Sequence, residues 1–318
     1  MRAPAGAPRG AGSAASQRAH TDHMTEFAEE RDAVGAAYLA RLTDADLRTL
    51  VHADRASTAE ATARIAALRR EPALILDVLD RPATSAAILN LAGERAELAF
   101  VSPFLVFAAA IHRTAADLAT TSYAPERAQP RLRVPVFDAF QLAAYLAMPR
   151  HRLFLADLLA SFARISSGVA VTRTPEGALR RRRWNDMDPA GLAVLLESVP
   201  PAQRPAVWRR LGDLALFLVG VFPDAAERVA ADRLAAMRLA ERTGLGPHDV
   251  PHGGAGELME WLGAGWYRLA AVRTAQPAAQ VASLTALAAE FHPARRVLNT
   301  ATDRYLLPVP STWFAPPR

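Results

Sequence analysis

Apolar positions along this chain recur mostly at helical spacing, and one stretch loses its polar face altogether. Trp208, Leu211, Ala215, Leu218 and Phe222 fall on one side of a helix spanning residues 208–222. Leu214, Phe217 and Val221 fill the neighbouring side, so no face is polar from Leu214 onward. A helix that is apolar all round must be buried all round, which makes 208–222 the expected centre of the fold. Gly212 and Gly220 would let other helices approach its backbone, at some cost in helix propensity. Asp213 is the one carboxylate within it.

The same periodicity begins upstream with Phe27, Val34, Tyr38, Leu39 and Leu42. Residues 1–23 precede it, rich in Ala, Gly, Pro and Ser, and are expected to form a disordered tail because they cannot bury enough to order themselves. Helix starts follow from capping chemistry. Thr43 with Asp46, Ser57 with Glu60, Asp138 with Gln141 and Asp224 with Glu227 all have capping-box spacing. Pro72, Pro82, Pro103, Pro189, Pro277 and Pro293 sit where a first-turn proline belongs. Gly168 and Gly244 follow periodic segments and mark C-terminal stops. Together these signals give roughly a dozen short helices. No fixed period relates them, which argues against a solenoid.

Residues 169–184 break the pattern. Two extended halves flank Pro175-Glu176-Gly177, which is the signature of a β-hairpin. The expected fold is therefore all-α, an irregular multi-helix bundle with one β-hairpin near 169–184. Its expected parts are a helical half over 24–168, the hairpin over 169–187, a second helical half over 188–307 and an extended tail over 308–318. The two halves are expected to pack around the 208–222 helix. Trp313 and Phe314 in the tail are expected to dock on the body.

Composition narrows the chemistry. The chain has no cysteine, which removes disulfides, thiol nucleophiles and zinc–thiolate sites. It also has no lysine, so all 37 basic residues are arginine. That removes Walker-type phosphate loops and Schiff-base catalysis. The abundance of Ala, Pro and Arg resembles the codon bias of a high-GC bacterium, so a net charge of +5 over 318 residues is no nucleic-acid signature by itself. No run approaches the roughly 18 apolar residues of a membrane span, and the N-terminus has no apolar core of a secretory signal. A cytoplasmic protein without a membrane partner is the expectation.

The residues Leu211-Gly212-Asp213, Leu216-Phe217, Gly220 and Phe222, followed by Glu260-Trp261-Leu262-Gly263 and Trp266-Tyr267, are similar to a pattern in actinobacterial and proteobacterial proteins of unknown function. The resemblance spans about residues 150–307. It implies a shared fold in which Asp213 is a fixed part, and it implies no activity.

Candidate sites follow from residue chemistry. Asp213 is either a catalytic carboxylate with a raised pKa or the buried partner of an arginine, Arg209 one turn earlier or Arg152 on a facing helix. The ion pair is the preferred reading. His248-Asp249-x-x-His252 with Glu257 has the residue types of a metal site, but two prolines and three glycines within 247–256 leave the ligands unplaced by any helix, so a solvent loop is preferred. His112 ends an apolar run and reads as a core histidine bonded to a carbonyl, with haem or proton transfer the less favoured roles. Arg180, Arg181, Arg182 and Arg183, with Arg173 across the hairpin and Trp184 beside them, form the strongest charge feature and the candidate binding surface. Strand alternation leaves at least two of the four solvent-facing. The sequence carries no nucleophile elbow, no dinucleotide fingerprint and no helix-turn-helix, so catalysis is neither indicated nor excluded and nucleic acid is not the favoured partner. No cofactor is expected.

Two functional classes remain. The first is a regulatory or adaptor protein that binds another protein. The second is a small-molecule-binding or catalytic helical protein with a pocket near Asp213. A cavity of about 300 Å³ or more with converging polar groups favours the second. A flat exposed apolar patch favours the first.

Overall fold

The computed structural model describes residues 25, 27–55, 57–93, 101–129, 132–164, 166–173, 178–246, 250–275, 277–308 and 313–314. The N-terminal tail expected at 1–23 and the hairpin turn at 175–177 lie outside these residues. The described chain is helical apart from two small antiparallel sheets. In order, the helices of the first half are α1 (27–39), α2 (Asp44–Ala53), α3 (Thr58–Arg70), α4 (Leu74–Leu79), α5 (Pro82–Gly93) and α6 (Pro103–Leu118). Strands β1 (Ala124–Gln129) and β2 (Leu132–Val136) precede α7 (Ala139–Ala147) and α8 (Pro149–Phe162). Strands β3 (Ser167–Arg173) and β4 (Leu179–Asn185) lead to α9 (Pro189–Ser198), α10 (Arg204–Val221), α11 (Pro223–Ala231) and α12 (Arg233–Arg242). Then come α13 (Ala255–Arg273), α14 (Ala278–Ala289) and α15 (Phe291–Ala301), which ends in a π-helical turn at Thr302–Leu306.

Local capping explains some of these starts. Thr43 and Asp46 form the expected box, with Asp46 N–H donating to Thr43 Oγ1 at 3.1 Å and Thr43 N–H to Asp46 Oδ2 at 2.8 Å. Ser57 N–H donates to Glu60 in the same way at 3.2 Å. Pro82, Pro103 and Pro189 open helices, and Asp188 Oδ1 accepts from Ala190 N–H at 2.9 Å to cap α9. Gly244 takes φ +87°, a left-handed conformation that suits glycine, just beyond α12.

Other expected signals fail. Asp138 makes no side-chain cap, because its carboxylate pairs with Arg296 on α15 instead. Asp224 does not open a box either: α11 starts one residue earlier at Pro223, with Phe222 at the cap position. Pro293 does hold its expected place, as the third residue in the first turn of α15 (Phe291–Ala301). Gly168 ends no helix. It lies in β3, where the Trp184 ring across the ladder covers it.

The expected hairpin is present and slightly longer, pairing Ser167 with Asn185 through to Arg173 with Leu179. A second hairpin, β1–β2, was not expected. It pairs Pro125 directly with Pro135. Two strands alone have two free edges, and proline is tolerated there because its missing N–H removes no ladder bond. The lack of apolar alternation in Ala-Pro-Glu-Arg-Ala-Gln hid this strand from a periodicity reading.

Helix α10 occupies the centre. Every residue from Leu214 to Val221 is buried, as its all-round apolar surface requires. It packs against α13, α15, α11, α9 and α8. The closest approaches use its glycines. A Cβ on Gly212 would stand 2.8 Å from the Tyr267 ring of α13, and one on Gly220 would stand 2.7 Å from Leu298 of α15. The Phe217 ring stacks on Phe162 of α8 with centroids 4.3 Å apart. The tail docks as expected, with Phe314 stacked on Phe107 of α6 at 5.2 Å and edge-on to Phe217 at 5.0 Å. One aromatic side chain of the tail thus bridges α6 in the first half and α10 in the second. Among the described residues, no helix is long and apolar enough to cross a membrane.

Candidate functional site

Asp213 is where the sequence placed the most unusual carboxylate, and its environment differs from the expected ion pair. The Tyr267 hydroxyl donates to Asp213 Oδ1 at 2.7 Å. Arg209 Nε reaches Oδ2 only at 4.0 Å, from a side chain that is 48% exposed. Arg152, the other expected partner, lies elsewhere. Burial pushes the Asp213 pKa up, opposed by the Arg209 charge and then by the Tyr267 hydrogen bond. Burial and the neighbouring carboxylate push Tyr267 well above its ordinary value, so its hydroxyl stays protonated and remains a donor. The Leu-Gly-Asp and Trp-Tyr elements of the sequence pattern therefore meet at one contact. Gly212 makes room for the Tyr267 ring, and Asp213 takes its hydroxyl.

Arg152 instead serves His112. His112 Nδ1 lies 2.6 Å from Asp80 Oδ1, Arg152 donates to that same oxygen, and the Tyr38 hydroxyl lies 3.1 Å from His112 Nε2. With Nδ1–H donating to Asp80, neutral Nε2 accepts from the Tyr38 O–H, which completes a chain of bonds across α1, α4, α6 and α8. His112 and Tyr38 are buried, and burial holds the His112 pKa below its usual value against the opposing effect of Asp80. Burial alone would raise the Asp80 pKa, but the His112 hydrogen bond and the charges of His112 and Arg152 lower it. The partner of His112 is thus a carboxylate, where a carbonyl was expected. Both imidazole nitrogens are thus engaged, and the ring is closed to solvent.

The loop candidates are only partly described. His248 and Asp249 lie outside the described residues. His252 and Glu257 are exposed, and among the described residues no three His, Asp or Glu side chains gather as a metal-ligand group.

On the hairpin, the register pairs Arg183 with Val169 and Arg181 with Val171. All four of these side chains are exposed. Arg180, Arg182 and Arg173 occupy the alternate register positions opposite Thr172, Ala170 and Leu179. Trp184 is half-buried against Gly168, so it is part of the hairpin's packing.

A site with no sequence signal lies between α8 and α14. A cavity of about 650 Å³ is bounded by Arg150, His151 and Phe154 of α8, Arg209 of α10, Leu284 and Leu287 of α14, and Glu290 beyond it. A second cavity of about 340 Å³, lined by Tyr145, Met148, His292 and Arg296, adjoins it and shares Arg150, His151 and Glu290. The shared residues are fixed by their own bonds. His151 is buried, donates from Nδ1 to the Tyr145 carbonyl at 2.7 Å, and stacks on the Tyr145 ring at 4.2 Å. A carbonyl only accepts, so Nδ1 carries the proton and Nε2 faces Glu290 Oε2 at 3.0 Å. Burial lowers the His151 pKa, with the Tyr145 carbonyl and the Glu290 charge acting the other way. The Tyr145 hydroxyl oxygen at this junction is buried with no hydrogen-bond partner among the described residues, and Glu290 Oε2 is buried with only the His151 Nε2 contact beside it. Asp213 does not line the larger cavity, but Arg209, its neighbour at 4.0 Å, does.

Sequence reasoning missed this cleft because none of its residues forms a local motif. Arg150 and His151 lie about 140 residues from Glu290 in the chain, and only the tertiary fold brings them to the wall of one cavity. Comparison with family models, with curated proteins and with solved structures finds no match.

Proposed function

We propose that this chain is a small-molecule-binding helical protein whose ligand occupies the cleft between α8 and α14. The observation that carries the reading is the cavity of about 650 Å³ with Arg150, His151, Arg209 and Glu290 converging on it. That volume falls in the range of ligand sites, and its mixture of apolar walls with a few polar groups is what such sites require. The unpartnered Tyr145 hydroxyl in the adjoining cavity supports it further, since a buried hydroxyl without a partner costs free energy that a ligand can recover. The proposal includes a bacterial, cytoplasmic setting and the fold shared with the Leu-Gly-Asp proteins that the sequence resembles. A crystallographic fragment screen tests it. Fragments should collect between α8 and α14, and hits confined to other surfaces would overturn the reading.

A second reading, an adaptor that binds another protein, draws support from a different face. Phe137 and Phe140 are 71% and 69% exposed, with Tyr123 5.9 Å from Phe137. Clustered exposed aromatics of this kind are common at protein–protein contacts. A Phe137→Ser/Phe140→Ser variant that keeps its melting temperature while losing retention on a hydrophobic-interaction column would show the patch free for a partner. Unchanged retention would remove it from consideration.

A further inference from the structure

The larger cleft is polarised, and the polarity specifies what fits it. One side is apolar: Phe154 of α8 and Leu287 of α14 are only half-buried, and Leu284 completes the wall. Helix α14 has the composition of a buried helix, Ala-Ala-Gln-Val-Ala-Ser-Leu-Thr-Ala-Leu-Ala-Ala, yet among its described side chains only Leu284 and Ala288 are buried. Apolar surface is therefore left facing the cleft, where covering it would be favourable by roughly 25 cal/mol per Å².

The rim is cationic. Arg150 and Arg209 both line the cavity and keep 51% and 48% of their side-chain surface exposed. Each has spare capacity. Arg150 meets Glu30 through one terminal nitrogen at 3.0 Å. Among the described residues, Arg209 meets a carboxylate only through Nε, at 4.0 Å. A guanidinium has five N–H donors, so both retain a fork for an oxyanion. The carboxylate that also lines the cleft, Glu290, is set against His151 Nε2.

Resting on the reading of this cleft as a ligand site, we infer that its ligand is an amphipathic anion. Such a ligand lays an apolar chain or ring system on Phe154, Leu284 and Leu287 and places a carboxylate, sulfonate or phosphate between Arg150 and Arg209. The apolar body supplies burial, and the charged head supplies orientation through charge-assisted hydrogen bonds.

A matched pair of probes separates this inference from the reading it rests on. 8-Anilinonaphthalene-1-sulfonate and N-phenyl-1-naphthylamine share one ring system and differ by the sulfonate. Both are titrated by fluorescence against the full chain, the Arg150→Gln/Arg209→Gln variant and an Ala282→Trp/Ala286→Trp variant that obstructs the cavity. Melting curves check that each variant is folded, and the two arginines are exposed enough to be replaced without disturbing the core.

The expected result is saturable binding of the sulfonate at least tenfold tighter than its uncharged analogue. That preference should fall to within about twofold in the arginine variant, with both probes losing affinity in the obstructed one. Equal affinity for the two probes, lost on obstruction, would overturn the anionic class and leave the cleft standing as a ligand site. Binding unaffected by obstruction, or no binding of either probe, would overturn both. Should the tryptophan variant fail to fold, the arginine variant alone decides the class.

Discussion

Tyr267 donates its hydroxyl to Asp213 Oδ1 at 2.7 Å while its ring lies over Gly212, so one side chain of α13 reads two successive residues of α10. Among the described residues, the guanidinium that pairs with that carboxylate, Arg209, is half exposed and 4.0 Å away. Removing Asp213 therefore strands a tyrosine hydroxyl, a much smaller penalty than stranding a buried guanidinium.

Asp213→Ala should destabilise the protein by about 1–2 kcal/mol, and Tyr267→Phe by a similar amount. Because the two groups are each other's hydrogen-bond partners, the double variant should cost clearly less than the sum of the singles. Urea unfolding of the four proteins measures this. A loss of about 3–5 kcal/mol for Asp213→Ala would instead indicate a buried arginine pair.

Stability should decline as the pH falls below the ordinary histidine value of 6.5. Burial depresses the His112 pKa in the folded state, so over the interval between the folded and unfolded values the unfolded chain binds more protons. Stability is then full above 6.5 and is lost progressively down to the folded value. His151, also depressed by burial, acts with the same sign. Asp80, held below its usual value by His112 and Arg152, extends the loss to lower pH. Chemical denaturation from pH 8 to pH 4 should show a shallower slope in His112→Gln, and an identical slope would count against this account.

Phe314→Ala should lower stability by about 3 kcal/mol, near the lower limit for a buried phenylalanine because a tail can partly relax. The ring is 8% exposed and lies against Phe107, Phe217 and Phe222. Thermal unfolding checks it. A melting temperature equal to wild type would mean that the tail adds nothing to the core.

The exposed Arg181 and Arg183 should give retention on heparin that falls steeply with salt. Replacing Arg180, Arg181, Arg182 and Arg183 by serine should move elution to clearly lower salt. Elution unchanged by that substitution would remove the hairpin as an anion-binding surface.

What the sequence determined by itself is what short-range physics controls. The burial of α10 followed from its lack of any polar face, which holds whatever surrounds it. The Thr43–Asp46 box, the prolines opening α5, α6 and α9, and the stop at Gly244 depend on atoms within four residues of one another. The β3–β4 hairpin was legible because its arginine and valine strands flank a proline–glycine turn signal. Tertiary structure decided the rest, because these choices are made between distant groups of similar chemistry. Asp138 had a local cap available and went instead to Arg296, 158 residues away. Asp213 had arginines on its own helix and took Tyr267, 54 residues away. Arg152, one of 37 arginines, was drawn to Asp80 and His112. The cleft between α8 and α14 exists only through the packing of helices whose sequences carry no mark of each other. Periodicity says which face of an element is buried, but the long-range partner of a charge depends on where three-dimensional packing leaves room for it.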